Sequence, residues 1–257
     1  MRAFYDNRSV VLTIAGLDPS GGAGVVADIK TIAAFGCFPA AAITSITFQN
    51  ARRVFGAEHQ TAAVLRAQVE PIFVDARAAA VKTGMLPTAE IVAEVVRLVR
   101  EQALPAPVVD PVMVSTSGHD LIGDEAFQIL KRELLPLAYL VTPNIPEAER
   151  LAGFAIRSRA DMRHAAEAIK SLGPPAVLVK GGHGLEPQTE ALDILLDQTG
   201  LFTEFREEYI DVGEVHGTGC TLSAAIAANL AKNLSLVDAV AVAKKYLTDK
   251  IRSLRSV

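Results

Sequence analysis

The chain has 257 residues, half of them hydrophobic, with 25 Lys and Arg against 29 Asp and Glu, so its net charge is −4. That length buries roughly 70–75% of the unfolded surface, enough for one large core, and the expectation is a single domain over residues 1–257. The charge leaves no basic footprint for nucleic acid, and two distant cysteines, Cys37 and Cys220, exclude a disulfide framework and zinc-ligand spacing.

Short runs rich in β-branched residues alternate with longer amphipathic ones. Residues 10–15 read as a strand and 24–35 as a helix stopped at Gly36. A second strand follows at 40–48, a helix at 61–74 and a short buried strand at 79–83. Thr88 is a candidate N-cap for a helix in which Ile91, Val92, Val95, Val96 and Val99 recur at helical spacing. The pattern repeats with strands at 107–112, 139–142 and 176–180, and helices at 125–135, 146–152 and 160–172. Residues 193–197 and 201–209 read as a hairpin across Gln198-Thr199-Gly200. Helices at 221–232 and 236–254 close the chain.

Alternating β and α units with apolar strands predict an α/β fold, a mostly parallel central sheet with helices on both faces. Such sheets bind ligands beyond the carboxyl ends of their strands. Residues 16–22, Gln49, 82–85, 110–113, 142–144 and 180–183 all fall there. The polar start, residues 1–8, lacks a signal peptide's apolar core, and no uninterrupted apolar run approaches the ~18 residues of a membrane span. A cytoplasmic location is the expectation, with no membrane or nucleic-acid partner.

The strongest chemical signal is Gly217-Thr218-Gly219-Cys220-Thr221 running into an Ala-rich helix. Glycines let backbone N–H groups turn to one point, and a helix N-terminus adds partial positive charge, so the turn is an anion site. A plain helix cap with a tight glycine turn explains the same residues. No Lys-Ser or Lys-Thr follows, so it is no Walker A loop, and a third glycine is missing for a dinucleotide fingerprint. Cys220 in the first helical turn is placed for the dipole to lower its thiol pKa from ~8.5, making it a candidate proton acceptor; a buried small residue is the alternative.

Asn144 and Glu147 stand one turn apart and offer oxygens to Mg2+, or form a capping box, or both. Asp110 after an apolar strand is a candidate second acidic group near the metal or transferred phosphate, or a turn former. Lys180, before Gly181-Gly182, can meet a nucleotide phosphate or be a solvated strand end. Gln49 offers donor and acceptor faces that match an aminopyrimidine edge, or caps the strand. Asp28 on the first helix faces the pocket or solvent. His183 reads as a loop residue, and Cys37 and Phe38 as core.

Several segments in order resemble the ribokinase-like superfamily, and more narrowly the hydroxymethylpyrimidine/phosphomethylpyrimidine kinases of thiamin biosynthesis. They are 13–16 with 18–24, 27–31, Gln49-Asn50, 82–86, 110–113, 142–147, 179–183 and 216–221. The resemblance implies an ATP- and Mg2+-dependent kinase, usually a homodimer, acting on a small hydroxymethylpyrimidine. By position Gly16, Ala23, Asp28, Gln49, Met85 and Val112 would line the pyrimidine pocket. Lys180, Thr218 and Asp110 would serve the nucleotide phosphates, and Asn144 and Glu147 the metal. Gly217, Gly219 and Cys220 would form the catalytic anion hole, with cysteine where most sugar kinases of the superfamily carry aspartate. Phe48 and Ala51 depart from the family pattern around Gln49, and Phe48 is expected to crowd or reshape the pocket. Alternative readings are a pyridoxal or pyridoxine kinase, a non-catalytic pyrimidine-binding homologue and, last, a dinucleotide-binding oxidoreductase.

Overall fold

A computed structural model of the chain describes residues 7–50, 53–75, 77–101, 104–115, 118–182, 190–213 and 215–254. Its centre is a nine-stranded sheet of order β3-β2-β1-β4-β5-β6-β7-β8-β9. The strands are β1 (Val10–Leu17), β2 (Phe38–Gln49), β3 (Val54–His59), β4 (Ala80–Thr83), β5 (Val108–Val109), β6 (Leu140–Val141), β7 (Val177–Lys180), β8 (Glu190–Leu196) and β9 (Phe202–Glu208). Strands β2 to β7 in that spatial order, β1 included, are parallel, while β3, β8 and β9 join antiparallel at the two edges.

The helices are α1 (Gly24–Ala34), α2 (Ala62–Asp75), α3 (Ala89–Arg100), α4 (Asp124–Ile129), α5 (Ile145–Ala152), α6 (Arg159–Lys170), α7 (Thr218–Leu230) and α8 (Leu236–Leu254). Side chains alternate across a strand, and the two faces bury separate cores. Leu12, Ile14, Val81, Val109, Val141 and Val179 meet α2 to α6. Val11, Ala80, Val108, Leu140 and Leu178 meet the small residues of α7 together with α8 and Ile32 of α1. Thr88 caps α3 by accepting from Ile91 N–H, as its position predicts.

Four elements differ from the sequence reading. Strand β3 was not anticipated: Val-Phe-Gly-Ala-Glu-His is half-exposed at a sheet edge and carries no buried alternation. The strand expected at 107–112 pairs only over Val108–Val109, because Pro111 supplies no N–H and the chain turns beyond it. The helix expected at 125–135 is α-helical only to Ile129, then winds as a π turn over Leu130–Leu134 and a 3-10 turn over Leu135–Leu137 that contains Pro136. Helix α7 begins at Thr218, three residues earlier than expected, so Gly219 and Cys220 belong to its first turn.

Candidate active site

The loop after β1 is organised by Asp18, which is 3% exposed. Its Oδ1 accepts from the Ser20 amide and hydroxyl at 2.8 and 2.7 Å, and its Oδ2 from the amides of Gly22 and Ala23 at 3.0 and 2.8 Å. Burial pushes this carboxyl up, but the hydrogen bonds from Ser20, Gln49 and Ala23 outweigh it and hold the pKa at about 2. His216 Nε2 lies 3.2 Å from Asp18 Oδ2 and 3.4 Å from Gln49 Nε2, which ties the end of β2 to the loop before α7. Gly24 (φ +56) is required here: a Cβ on it would meet the Gly16 carbonyl oxygen at 2.2 Å.

The same close approach fixes the N-terminus of α7. Gly217 is its N-cap with φ 81°, and a Cβ there would sit 1.9 Å from the Gly22 carbonyl oxygen. The free N–H groups of the first turn, those of Thr218, Gly219 and Cys220 among them, open where the loops after β1, β5 and β7 meet.

Beneath that turn lies a charged cluster. Lys180 Nζ donates to Asp110 Oδ1 at 2.8 Å, Thr142 Oγ1 donates to the same oxygen at 3.3 Å, and Ser223 Oγ donates to Asp110 Oδ2 at 3.2 Å. Burial pushes the Asp110 carboxyl up, yet Lys180 and Lys82 pull it below the ordinary value; burial pushes Lys180 down, yet Asp110 and Glu147 hold it above. Asn144 and Glu147 form a full capping box: Asn144 Oδ1 accepts from Glu147 N–H at 2.9 Å, and Glu147 Oε2 from Asn144 N–H at 2.8 Å. Burial raises the Glu147 carboxyl to about 7, against the pull of Lys180 and with the push of Asp110. Two carboxylates with one lysine between them suit a divalent cation that keeps most of its waters and shares phosphate oxygens, rather than an all-protein cage. No cluster of three His, Cys, Asp or Glu stands ready for a metal among the described residues.

Two cavities share this cluster. A small one of 180 Å³ is lined by Gly16, Ala23, Gln49, Met85, Val112 and Cys220. A larger cleft of 780 Å³ runs past Gly181, Ile210, Val212, Leu222, Leu247 and Ile251. They join at Asn144, Glu147, Lys180, Thr218 and Gly219, which line both. Every substrate-pocket residue expected from the sequence lies in the small cavity except Asp28, which is 0% exposed and sits below it. Asp110 also lines the small cavity.

Two further expectations need correction. Phe48 does not crowd the pocket: it points to the opposite side of β2 from Gln49, is 52% exposed and packs over Gly56 of β3. The Cys220 thiol is not lowered by its helix terminus. Burial pushes it up to about 11; Lys82 offsets part of this, and the carboxylates of Asp28 and Asp110 add to the rise. The residues His183 and Ala51 lie outside the described residues.

A cavity sized for one substituted ring, opening through an anion loop onto a nucleotide-sized cleft, is the layout of a small-molecule kinase. The phosphomethylpyrimidine kinase family profile matches residues 18–257. This chain belongs to the phosphomethylpyrimidine kinase family. It is 47% identical over 240 residues to the hydroxymethylpyrimidine/phosphomethylpyrimidine kinase of Rhizobium meliloti, covering 93% of this chain and 89% of that one. The crystal structure of phosphomethylpyrimidine kinase from Clostridium difficile superposes with a TM-score of 0.83 at 42% identity, covering 95% of this chain and 100% of that one. An ADP complex of Bacillus subtilis pyridoxal kinase superposes with a TM-score of 0.85 at 36% identity, over 94% of this chain and 91% of that one. The chain also matches bifunctional thiamine-biosynthesis proteins, of whose length it spans 49% and 46%. The fold is therefore ribokinase-like α/β, and the protein is a kinase of this family.

Asp18, His216 and Lys82 lie in segments that the sequence marks, but it assigns them none of the contacts they make. Asp18 is a loop aspartate among glycines, and only its place four and five residues before two glycine-loop amides hints at a hub. His216 precedes the glycine turn, and nothing local marks its contact with Asp18, 198 positions away. Lys82 left a usable signal: a lysine inside a four-residue buried strand.

Proposed function

We propose that the chain works as a single ribokinase-like domain that transfers the ATP γ-phosphoryl group to 4-amino-5-hydroxymethyl-2-methylpyrimidine. The same site then phosphorylates the monophosphate to the diphosphate, in thiamin biosynthesis. The observation that carries this reading is the junction: the ring-sized cavity and the nucleotide-sized cleft share Lys180, Thr218 and Gly219. The family of the chain supplies the substrate class.

Phosphoryl transfer leaves a protein mainly positioning and charge stabilisation. Gln49, held by His216 and Asp18, reads the ring edge, and Gly16, Ala23, Met85 and Val112 enclose the ring. Lys180, fixed by Asp110, places a positive charge where the transferred group passes. The amides of residues 217–220 receive its oxygens. When bound, Mg2+ supplies charge neutralisation between the nucleotide phosphates. Asn144 and Glu147 would hold it from the protein side, Glu147 giving up its proton to do so. Cys220 takes the hydroxyl proton only in molecules whose thiol is ionised, a minor fraction at neutral pH. That fits a loose transition state in which the nucleophile needs little help early.

Pyridoxal phosphorylation is the second reading, favoured by the likeness to pyridoxal kinase structures. Its sequence argument weakens because Phe48 turns away from the cavity. A homodimer and a cytoplasmic location complete the proposal and rest on resemblance; no described helix is long and apolar enough to cross a membrane. The test is to incubate the protein with Mg-ATP and the hydroxymethylpyrimidine, with pyridoxal in parallel, and follow products by mass. Mono- and diphosphate from the pyrimidine is the expected result. Product from pyridoxal alone overturns the substrate, and no ADP in either reaction points to the non-catalytic binder.

A further inference from the structure

Among the buried charges that the proposed reaction does not use, Lys82 and Asp28 are the most completely enclosed. Lys82 is fully buried, on a strand of four residues, and is the largest such side chain among those described. In register it lies between Thr13 of β1 and Val108 of β5. Ala80, two residues before it, packs with the small residues of α7, so Lys82 faces α1 and α7. Its Nζ donates to Asp28 Oδ2 at 2.8 Å, and Thr13 Oγ1 donates to the same oxygen at 2.6 Å.

Stability does not explain this pair. A buried ion pair is often no more stabilising than apolar side chains of the same volume. Here one carboxylate oxygen, Asp28 Oδ1, has no hydrogen-bond partner among the described residues, and a buried unsatisfied polar atom in a folded protein calls for a reason. The position of the ammonium supplies one. The side chain runs toward the carboxyl end of β4, where a Cβ on Gly84 would come within 2.9 Å of Nζ. The next residue, Met85, is already a wall of the small cavity, and Cys220 is another. On α1, Gly24 stands one turn before Asp28, and its amide reaches the Cys220 sulfur, so the sulfur and the pair share one face of that helix.

We propose that Lys82, clamped by Asp28 and Thr13, is a positioning residue for Cys220: its fixed ammonium stabilises negative charge on the Cys220 sulfur, and Asp28 keeps that ammonium charged and in place. The inference rests on the kinase reading of the site. The charges that act on the sulfur include Lys82 from β4, Asp28 from α1, Asp110 beyond β5 and Lys180 from β7, and the Gly24 amide bonds to it. Of those that favour the thiolate, Lys82 acts most strongly, while the two aspartates oppose it. Burial pushes the Lys82 ammonium down, but Asp28 holds it above its ordinary value; burial in turn pushes the Asp28 carboxyl up, against the pull of Lys82 and Thr13.

The test reads the sulfur directly, without ATP or pyrimidine. The rate of Cys220 alkylation by iodoacetamide is followed by peptide mass from pH 7 to 10 in wild type, Lys82→Met and Lys82→Arg. With Lys82→Met the rate should fall about tenfold at a given pH, a displacement of about one pKa unit, and Lys82→Arg should stay within about threefold of wild type. A Lys82→Met curve that overlays wild type or moves to lower pH overturns the proposal, as does an arginine variant as slow as the methionine one. If Lys82→Met does not fold, the Lys82→Met, Asp28→Leu double variant removes both charges; because Asp28 opposes the thiolate, a smaller slowing of about threefold is expected, and a rate equal to or above wild type overturns the proposal. Wild-type protein with the expected alkylation but no kinase activity would instead sink the kinase reading and leave the Lys82–Cys220 coupling standing.

Discussion

The small cavity is walled by polar groups already satisfied by one another: Asp18 accepts from Ser20, Gly22 and Ala23 and touches His216, which in turn reaches Gln49. The cleft beside it has an apolar wall of Ile210, Val212, Leu222, Leu247 and Ile251, with charged side chains from α5, β7, β8, β9 and α8 around it. Held in place by those bonds, the Gln49 amide keeps donor and acceptor capacity for a ligand, and one that leaves it unpaired is rejected far more strongly than by shape alone. An apolar cleft holds a flat base by area and discriminates little. On the proposed reading, substrate choice belongs to the Asp18 hub and nucleotide affinity to the cleft. Rate belongs to the junction where both end.

The largest effect should come from the junction. Lys180→Met is expected to lower kcat about 10³-fold, the scale of losing one preorganised charge, with KM for the pyrimidine nearly unchanged. Steady-state kinetics at saturating Mg-ATP checks it, and a change confined to KM would put Lys180 in binding only. The next is Cys220. Its thiol sits near 11, so if it acts as base, wild-type kcat should climb about tenfold per pH unit from 7 to 9. Cys220→Ala should flatten that climb, falling behind wild type by about 10²-fold at pH 9 and much less at pH 7. A pH–rate profile shared by both proteins leaves only the backbone anion loop.

Glu147 gives a smaller, thermodynamic signal. Folding raises its pKa from 4.5 to about 7, so the folded state binds this proton more tightly. Its stabilising contribution is complete below the unfolded value and is lost as pH rises through about 7, in all about 3 kcal/mol. Glu147→Gln, neutral throughout, should remove this part of the pH dependence of chemical denaturation in the absence of nucleotide. The smallest effects test the substrate wall. Gln49→Ala should raise KM for the pyrimidine about tenfold through a lost hydrogen bond, whereas Phe48→Ala should leave the pyrimidine-to-pyridoxal ratio within about twofold. A large Phe48 effect would mean that the β2–β3 edge shapes the cavity after all.

Much of this site was legible in the sequence because it lies on strand ends and glycine turns, where chemistry and local structure share the same few residues. Gly217 to Cys220, Asn144 with Glu147, and Lys180 after an apolar strand all lie where the chain pattern puts them. What was not legible depends on contacts between distant segments. The pairing of Lys82 with Asp28 spans 54 positions, and it converts an expected pocket residue into a buried counter-ion. The Cys220 thiol was misjudged for the same reason: a helix terminus is visible in sequence, but the burial and the two carboxylates that outweigh it come from other elements. Strand β3 escaped because an exposed edge needs no apolar alternation.

On the proposed reading, acceptor and nucleotide meet over Lys180 and the first turn of α7. A crystal structure with a non-hydrolysable ATP analogue, Mg2+ and the hydroxymethylpyrimidine tests it directly. The prediction is a γ-phosphate in hydrogen-bond reach of Lys180 and the residue 217–220 amides, with the ring against Gln49 and its hydroxymethyl group toward Cys220. A pyrimidine seated in the large cleft, or a γ-phosphate turned away from Lys180, would contradict it.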